Sequence, residues 1–315
     1  MSAEQKETPY MTYSKYIGDL WSGVHCNQEL NKKDERNKKI FWWDSDFVIR
    51  HVNTLVYDID SPILSEGLNQ LLINRLNGRV LKLGVSVGFG TGGKEMRLLE
   101  LGVVEKFILF ELSDEAIKIA YEKAKVLNLI NRIEFVHGDA FAYSFENTEI
   151  ELVHWNNSLH HMFDVRDAVK WSYDILSPGG VFYMDDYVGA NRFQFPEYIL
   201  KIVDEIRNGI PYKYLKHPFI DGYILGPYIN HGLDEINDPS EAVDSERILE
   251  SVRIYFPKAK IILTGGIVYS IALAMFFDNF DEENEEDLAV LKQLLTIDML
   301  HNSIDILELD VIVGV

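Results

Sequence analysis

"RVLKLGVSVGFGTGGKEMRLLELG" (Arg79–Gly102) is the stretch whose reading decides the fold. Its first part, "RVLKLGVSV", is a short, largely apolar run of strand length. "GFGTGG" then carries almost no aliphatic bulk, and "KEMRLLELG" returns to helical spacing before stopping at Gly102. A strand that feeds bare backbone and then a helix is the opening of a crossover unit. The same rhythm continues downstream. "KFILFEL" reads as a second strand, and "SDEAIKIAYEKAKVLNL" as a helix with Ser113 at its N-cap and acids in its first turn. "NRIEFVHGD" and "IELVHWNN" read as the third and fourth strands, "VRDAVKWSYDILSPGG" as a helix with a proline-glycine stop, and "VFYMDDY" as the fifth strand.

Strands that alternate with helices require crossovers, hence a parallel sheet with helices on both faces. "AKIILTGG" adds a sixth strand and "LDVIVGV" a seventh. The expected fold is α/β, a doubly wound, seven-stranded and mostly parallel sheet. Around it, residues 1–77 are rich in aromatics without a strand rhythm and read as a helical N-terminal cap. Residues 78–189 form the cofactor-binding core, and 190–250, rich in proline, glycine and tyrosine, an inserted lid. Residues 251–315 complete the sheet. Within them "IVYSIALAMFF" (Ile267–Phe277) reads as a buried helix too short to span a bilayer, and "DNFDEENEED" as a solvated loop leading into a helix.

Composition narrows the function. The chain has 315 residues and 47% hydrophobic content, enough for one large domain with an addition. Its formal charge of −20 repels phosphate backbones and anionic membranes, so neither nucleic acid nor membrane is an expected partner. The densest basic cluster, Lys32 to Lys39, is interrupted by Asp34 and Glu35 and reads as a solvated surface segment. A lone cysteine, Cys26, excludes an intrachain disulfide framework and a thiolate metal cluster. With no basic-then-apolar signal pattern at the N-terminus, the expected setting is the cytoplasm. No metal is expected; the expected partner is a small-molecule substrate, and a homodimer is compatible with the sequence.

In an open parallel sheet, ligands bind beyond the carboxyl ends of the strands, where the strand order reverses. Gly88, Gly90 and Gly92 stand at that place, where positive φ and close backbone approach to a ligand are useful. Residues 88–93 also satisfy G-x-G-x-x-G, which keeps an NAD(P)-dependent oxidoreductase as an alternative. A phosphate-binding P-loop is disfavoured, because Lys94 is followed by Glu95 rather than Ser or Thr. Glu111 ends the second strand about twenty residues on, where a carboxylate accepts ribose hydroxyls. Together these features indicate an adenosine-containing ligand.

The order GxGxG, strand-end Glu, "GDA" (138–140), "NSLHH" (157–161) and "LSPGG" (176–180) resembles class I S-adenosylmethionine-dependent methyltransferases over residues 79–186. "LSPGG…DDYVGANRFQF", "DPSEAVDSERIL" and "TGGIVYSIALAMFFDNF" extend the resemblance, to about residue 280, toward a small-molecule branch that modifies sugars, polysaccharides or secondary metabolites. The resemblance implies S-adenosyl-L-methionine as cofactor, held by Gly88, Phe89, Gly90, Gly92, Glu95, Glu111, Leu112, Asp139, Ala140, Asn156 and Asn157, with Asp139 accepting the adenine amino proton. It implies O-methylation of a small polar metabolite or sugar. An alcohol acceptor must lose a proton, which a positioned histidine can take. His161 is the first choice, His160 the second, and Asp186 the next in line. Tyr187, Asn191 and Arg192 follow as donors to a polar or anionic acceptor. The chain departs from the family at Ser86, where the first motif usually has an acid, and at Phe89, where it often has Cys. Glu95 can compensate electrostatically for the missing acid. A non-catalytic S-adenosylmethionine-binding protein is the alternative that Ser86 supports.

Overall fold

The computed structural model describes residues 16, 18–22, 38–224, 226–230, 238–301 and 308–314. Cys26 and most of residues 1–37 therefore lie outside the described residues. Ser45 starts the first long helix: its side chain accepts the Val48 N–H, and α1 runs from Asp46 to Tyr57. Helix α2 (Glu66–Leu76) packs back on it and carries Leu68, Leu71 and Leu72 into the core.

The sheet begins with β1 (Leu81–Val87), followed by α3 (Gly93–Glu100), β2 (Val104–Glu111) and α4 (Asp114–Val126). Ser113 caps α4 as its sequence predicts, accepting the Ala116 N–H. Then come β3 (Ile133–His137), β4 (Ile150–Asn156), α5 (Val165–Ile175), β5 (Leu176–Tyr187), α6 (Glu197–Gly209), α7 (Ile248–Tyr255), β6 (Lys260–Gly265), α8 (Glu285–His301) and β7 (Glu308–Gly314). The order in the sheet is β3-β2-β1-β4-β5-β7-β6. The pairs from β3 through β5 are parallel, and β7 runs antiparallel to both β5 and β6.

Period-two alternation sorts the strands between two faces. From β2, Phe107 and Leu109 pack with α2, α3 and α4, alongside Leu98, Leu99 and Ala120. Ile108 and Phe110 point the other way, into a core built with Trp155, Phe182 and residues of α5 and α7 such as Val169 and Val252. Helices thus cover both faces, which is why these strands read as nearly continuous apolar runs. The chain leaves β1 for β2 and β3 on one side and for β4 on the other, so the order reverses between β1 and β4.

Three elements differ from their sequence reading. Helix α5 ends at Ile175, and "LSPGG" already belongs to β5, where Leu176 pairs with Ile150 before the register shifts. The apolar run at Ile267–Ala272 is buried as expected but winds as a π-helix. Its widened turn is held at both ends: the buried Asp298 accepts the N–H groups of Gly266 and Val268, and Arg207 donates to the carbonyls of Ile271 and Ala272. The acidic tract is less free than expected. Asp278 pairs with Lys38 and Glu282 with Lys39, so the end of the basic cluster and the start of the acidic tract neutralise one another. Among the described residues no helix is long and apolar enough to cross a membrane.

Candidate active site

The turn after β1 stays open because it has almost no side chains. Gly88 and Gly90 sit at φ +67° and +56°, in the left-handed region. A Cβ at Gly88 would come within 2.8 Å of the Ser158 Cβ, so the loop after β4 packs against bare backbone. Above this junction lies a cavity of about 200 Å³, at the point of strand-order reversal. Gly88, Phe89 and Gly90 line it from β1, Glu111 and Leu112 from β2, Gly138 and Ala140 from beyond β3. Asn156, Asn157, Ser158, His161 and Met162 line it from beyond β4, and Trp21 and Ser240 reach it from distant parts of the chain.

Most of the residues named as cofactor contacts therefore share one wall. Gly92, Glu95 and Asp139 do not line it. Gly92 faces Met96 and Ala120 at the start of α3. Asp139 turns its carboxylate to the Phe141 N–H and starts the short turn behind Ala140. Glu95 is fully buried beneath the loop: Ser86 Oγ donates to its Oε1 at 2.8 Å, and His154 Nδ1 lies 3.0 Å away. Burial would raise this carboxyl, but His154 and Ser86 hold it below its usual range. Glu95, from α3, thus touches Ser86, the position where the sequence departs from the family pattern. The second oxygen, Glu95 Oε2, and Ser158 Oγ are buried without a hydrogen-bond partner.

Glu111 accepts the Gly90 N–H on Oε2 and the Leu112 and Ser113 N–H groups on Oε1. Burial pushes its carboxyl above the usual range against these three bonds. Oε1 is filled by its two bonds, whereas Oε2, with one, keeps lone-pair capacity.

The histidine pair sits in two different environments. His160 Nδ1 lies 2.5 Å from Asp186 Oδ1, and its Nε2 lies 3.4 Å from Glu241 Oε1. Asp186 Oδ2 accepts the Ser158 and Leu159 N–H groups, so this buried acid holds the whole loop and is turned away from the cavity. Burial works against a charge on His160, yet the two carboxylates raise it far above its ordinary value. His161 lines the cavity, with Nδ1 3.1 Å from Ser240 Oγ and 3.5 Å from Asp238 Oδ2. Burial and the neighbouring His160 charge push His161 down, which favours its neutral form. Trp21 meets its ring edge-on at 5.3 Å and donates to Asp238.

His160, His161 and Glu241 offer ligand atoms within 4.8 Å of one another, close enough for a metal ion. Both ring nitrogens of His160 already face carboxylates, Asp186 at Nδ1 and Glu241 at Nε2, so ligation by His160 would displace one of these contacts.

The three predicted acceptor contacts turn to the chain itself. Tyr187 donates to the Ala190 carbonyl, and Asn191 accepts from Glu246 N. Arg192 donates to the carbonyls of Asp238, Pro239 and Glu241 and so clamps the 238–241 loop against the histidines. Asp185 receives the Ser65 hydroxyl instead of facing the cavity. Trp21, Asp238, Ser240 and Glu241 escaped the sequence reading, because no spacing links positions so far apart. The last three share the stretch "DPSE", which the sequence offered only as part of the resemblance.

Residues 85–184, which hold the glycine turn, Glu111 and the histidine pair, match the family model described as a methyltransferase domain. The chain carries a methyltransferase domain of the S-adenosylmethionine-dependent class. The chain is 23% identical over 129 residues to the ubiquinone/menaquinone biosynthesis C-methyltransferase UbiE of Klebsiella pneumoniae, covering 39% of this chain and 51% of that protein. It is 28% identical over 104 residues to the erythromycin 3''-O-methyltransferase of Saccharopolyspora erythraea, covering 33% and 34%. The chain spans about half the length of the first of these relatives and a third of the second. In fold, the chain is similar over 98% of its length to 99% of geranyl diphosphate C-methyltransferase from Streptomyces coelicolor A3(2), with TM-score 0.51 and 11% identity. It is similar over 96% of both chains to the [4+2]-cyclase SpnF, with TM-score 0.50 and 14% identity.

Proposed function

We propose that the protein transfers a methyl group from S-adenosyl-L-methionine to an oxygen of a small polar metabolite or sugar, in the cytoplasm. The observation that carries this reading is that Glu111 and the bare turn Gly88–Gly90 line one cavity together with a neutral His161. The residues present fit the cofactor: a Cβ at Gly88 would close the turn onto Ser158, and Ser158 Oγ is buried without a partner. Glu111 would hold the ribose, the glycine turn the chain beyond it, and Leu112 and Ala140 the adenine. When bound, S-adenosylmethionine supplies a methyl group already activated on a sulfonium.

Aligning the acceptor and excluding water are the protein's main tasks, and oriented proximity is worth roughly 7–11 kcal/mol. Trp21 and Ser240 line the cavity and add to its walls. His161 accepts the hydroxyl proton of the acceptor as the new O–C bond forms. Asp186 and His160 hold the loop that presents it. The segment 190–250 acts as the lid: through Arg192 it brings residues 238–241 to the histidines. Similarity to the erythromycin 3''-O-methyltransferase supports oxygen as the acceptor atom. The charge of −20 argues against a nucleic-acid acceptor.

The test is to incubate the protein with S-adenosylmethionine carrying a deuterated methyl group and a panel of polar metabolites and glycosides. Mass spectrometry should find the label on an acceptor oxygen. Label on carbon would replace the O-methylation reading, and label nowhere, with the cofactor bound, would leave a binding protein.

A further inference from the structure

The 238–241 loop makes contacts that constrain where each proton of the histidine pair sits. His160 has a carboxylate at both ring nitrogens, Asp186 at Nδ1 and Glu241 at Nε2. Carboxylates only accept, so both contacts are hydrogen bonds only if both nitrogens carry hydrogen. Ser240 is constrained in the same way. Its hydroxyl donates to Asp238 Oδ1 at 2.6 Å, and Ser240 N donates to the same oxygen at 2.7 Å. With its one hydrogen committed, Ser240 Oγ can only accept from His161 Nδ1, 3.1 Å away. Asp238 Oδ2, 3.5 Å from the same nitrogen, also requires a donor there. A neutral His161 must then carry its hydrogen on Nδ1 and leave the lone pair on Nε2. That nitrogen lies 4.0 Å from Glu241 Oε2, beyond hydrogen-bonding distance.

We propose that the 238–241 loop is the positioning element of the site: Glu241, with Asp186, keeps His160 an imidazolium, and Ser240, backed by Asp238, fixes His161 as its Nδ1–H tautomer. This assignment rests on the methyl-transfer reading for its purpose, since a bare Nε2 is what an acceptor hydroxyl needs. The imidazolium also stands next to His161, with ring centroids 4.2 Å apart, and opposes a second positive charge there. The other groups facing the pair are the Tyr187 ring against His160 and Trp21 against His161, and neither adds a charge. Arg192 holds the loop from behind through backbone carbonyls.

The experiment is nitrogen NMR of the full chain with labelled histidines, titrated between about pH 5 and 8, the range in which an ordinary histidine changes charge. In the wild type, His160 should show two protonated nitrogens throughout, and His161 a protonated Nδ1 and a bare Nε2. Glu241→Gln should let His160 lose its proton within that range. Ser240→Ala should give His161 a mixture of tautomers, and Ser240→Thr, which keeps the hydroxyl, should restore the single one. A wild-type His161 protonated on Nε2 would overturn the proposal, as would a His160 signal that is the same in wild type and Glu241→Gln. A merely structural role for Ser240 predicts no rescue of the tautomer by threonine. Because the readout needs no acceptor, the proton assignment can hold even where the methyl-transfer assay fails, and the two failures stay distinct.

Discussion

At the scale of single residues, Glu111 carries two loads at once: it stitches three backbone N–H groups of the β1 and β2 ends and faces the cavity. Glu111→Gln keeps the shape and removes the charge. Affinity for S-adenosylhomocysteine should fall by about 1.5–3 kcal/mol, the scale of a hydrogen bond to a charged group. A dideoxyribose analogue should lose almost nothing, and calorimetry showing equal losses would make Glu111 a support of the turn alone. The adjacent histidines should separate just as clearly. His161→Ala should keep the fold and the cofactor affinity while methyl transfer drops about 10²–10⁴-fold. His160→Ala strands the buried Asp186 without its cation and should cost about 3–5 kcal/mol in chemical denaturation. If His160→Ala melts like the wild type, the ion pair described here is not formed. The pair was legible in the sequence as a pair, because it follows a strand at the ligand edge. Which member does what was not, because Glu241 and Ser240 decide it and lie about eighty residues away.

At the scale of elements, strand and helix types followed from apolar periodicity, and Ser45 and Ser113 cap helices as their residue types suggest. The Ile267–Ala272 segment shows the limit of that reading. Its apolar run says buried, but the π-turn depends on Asp298 and Arg207, which approach from α8 and α6. Likewise the basic cluster and the acidic tract each look solvated alone and pair only once folded. Helices α2 and α3 are joined by a similar long-range pair, Arg97 to both oxygens of Glu66. Burial would raise the Glu66 carboxyl, but Arg97 wins and holds it below its usual range. A depressed folded-state value means that the stabilisation is present above the unfolded value, about 4.3, and is lost as pH falls through the folded one. In Glu66→Gln the melting temperature should therefore fall less steeply than in the wild type between about pH 5 and 3. Parallel curves for the two proteins would show that the pair contributes nothing to stability.

At the scale of the whole molecule, the doubly wound α/β architecture was readable because each β–α unit announces itself locally. The reversal of strand order then dictates where a ligand goes. What lines that place from afar was not readable: Trp21 comes from the N-terminal region and Ser240 from the lid segment, joined through Asp238 by hydrogen bonds to both. The central claim is that this cavity is the cofactor's. It is tested most directly by hydrogen exchange of the full chain with and without saturating S-adenosylhomocysteine. Slower exchange is predicted in the segments around Gly88–Gly90, Glu111–Ser113, Gly138–Phe141 and Asn156–Met162, the four strand ends that meet at the cavity. Exchange left unchanged in those segments, or protection confined to the groove between α6 and α8 at Ile206 and Leu294, would contradict it.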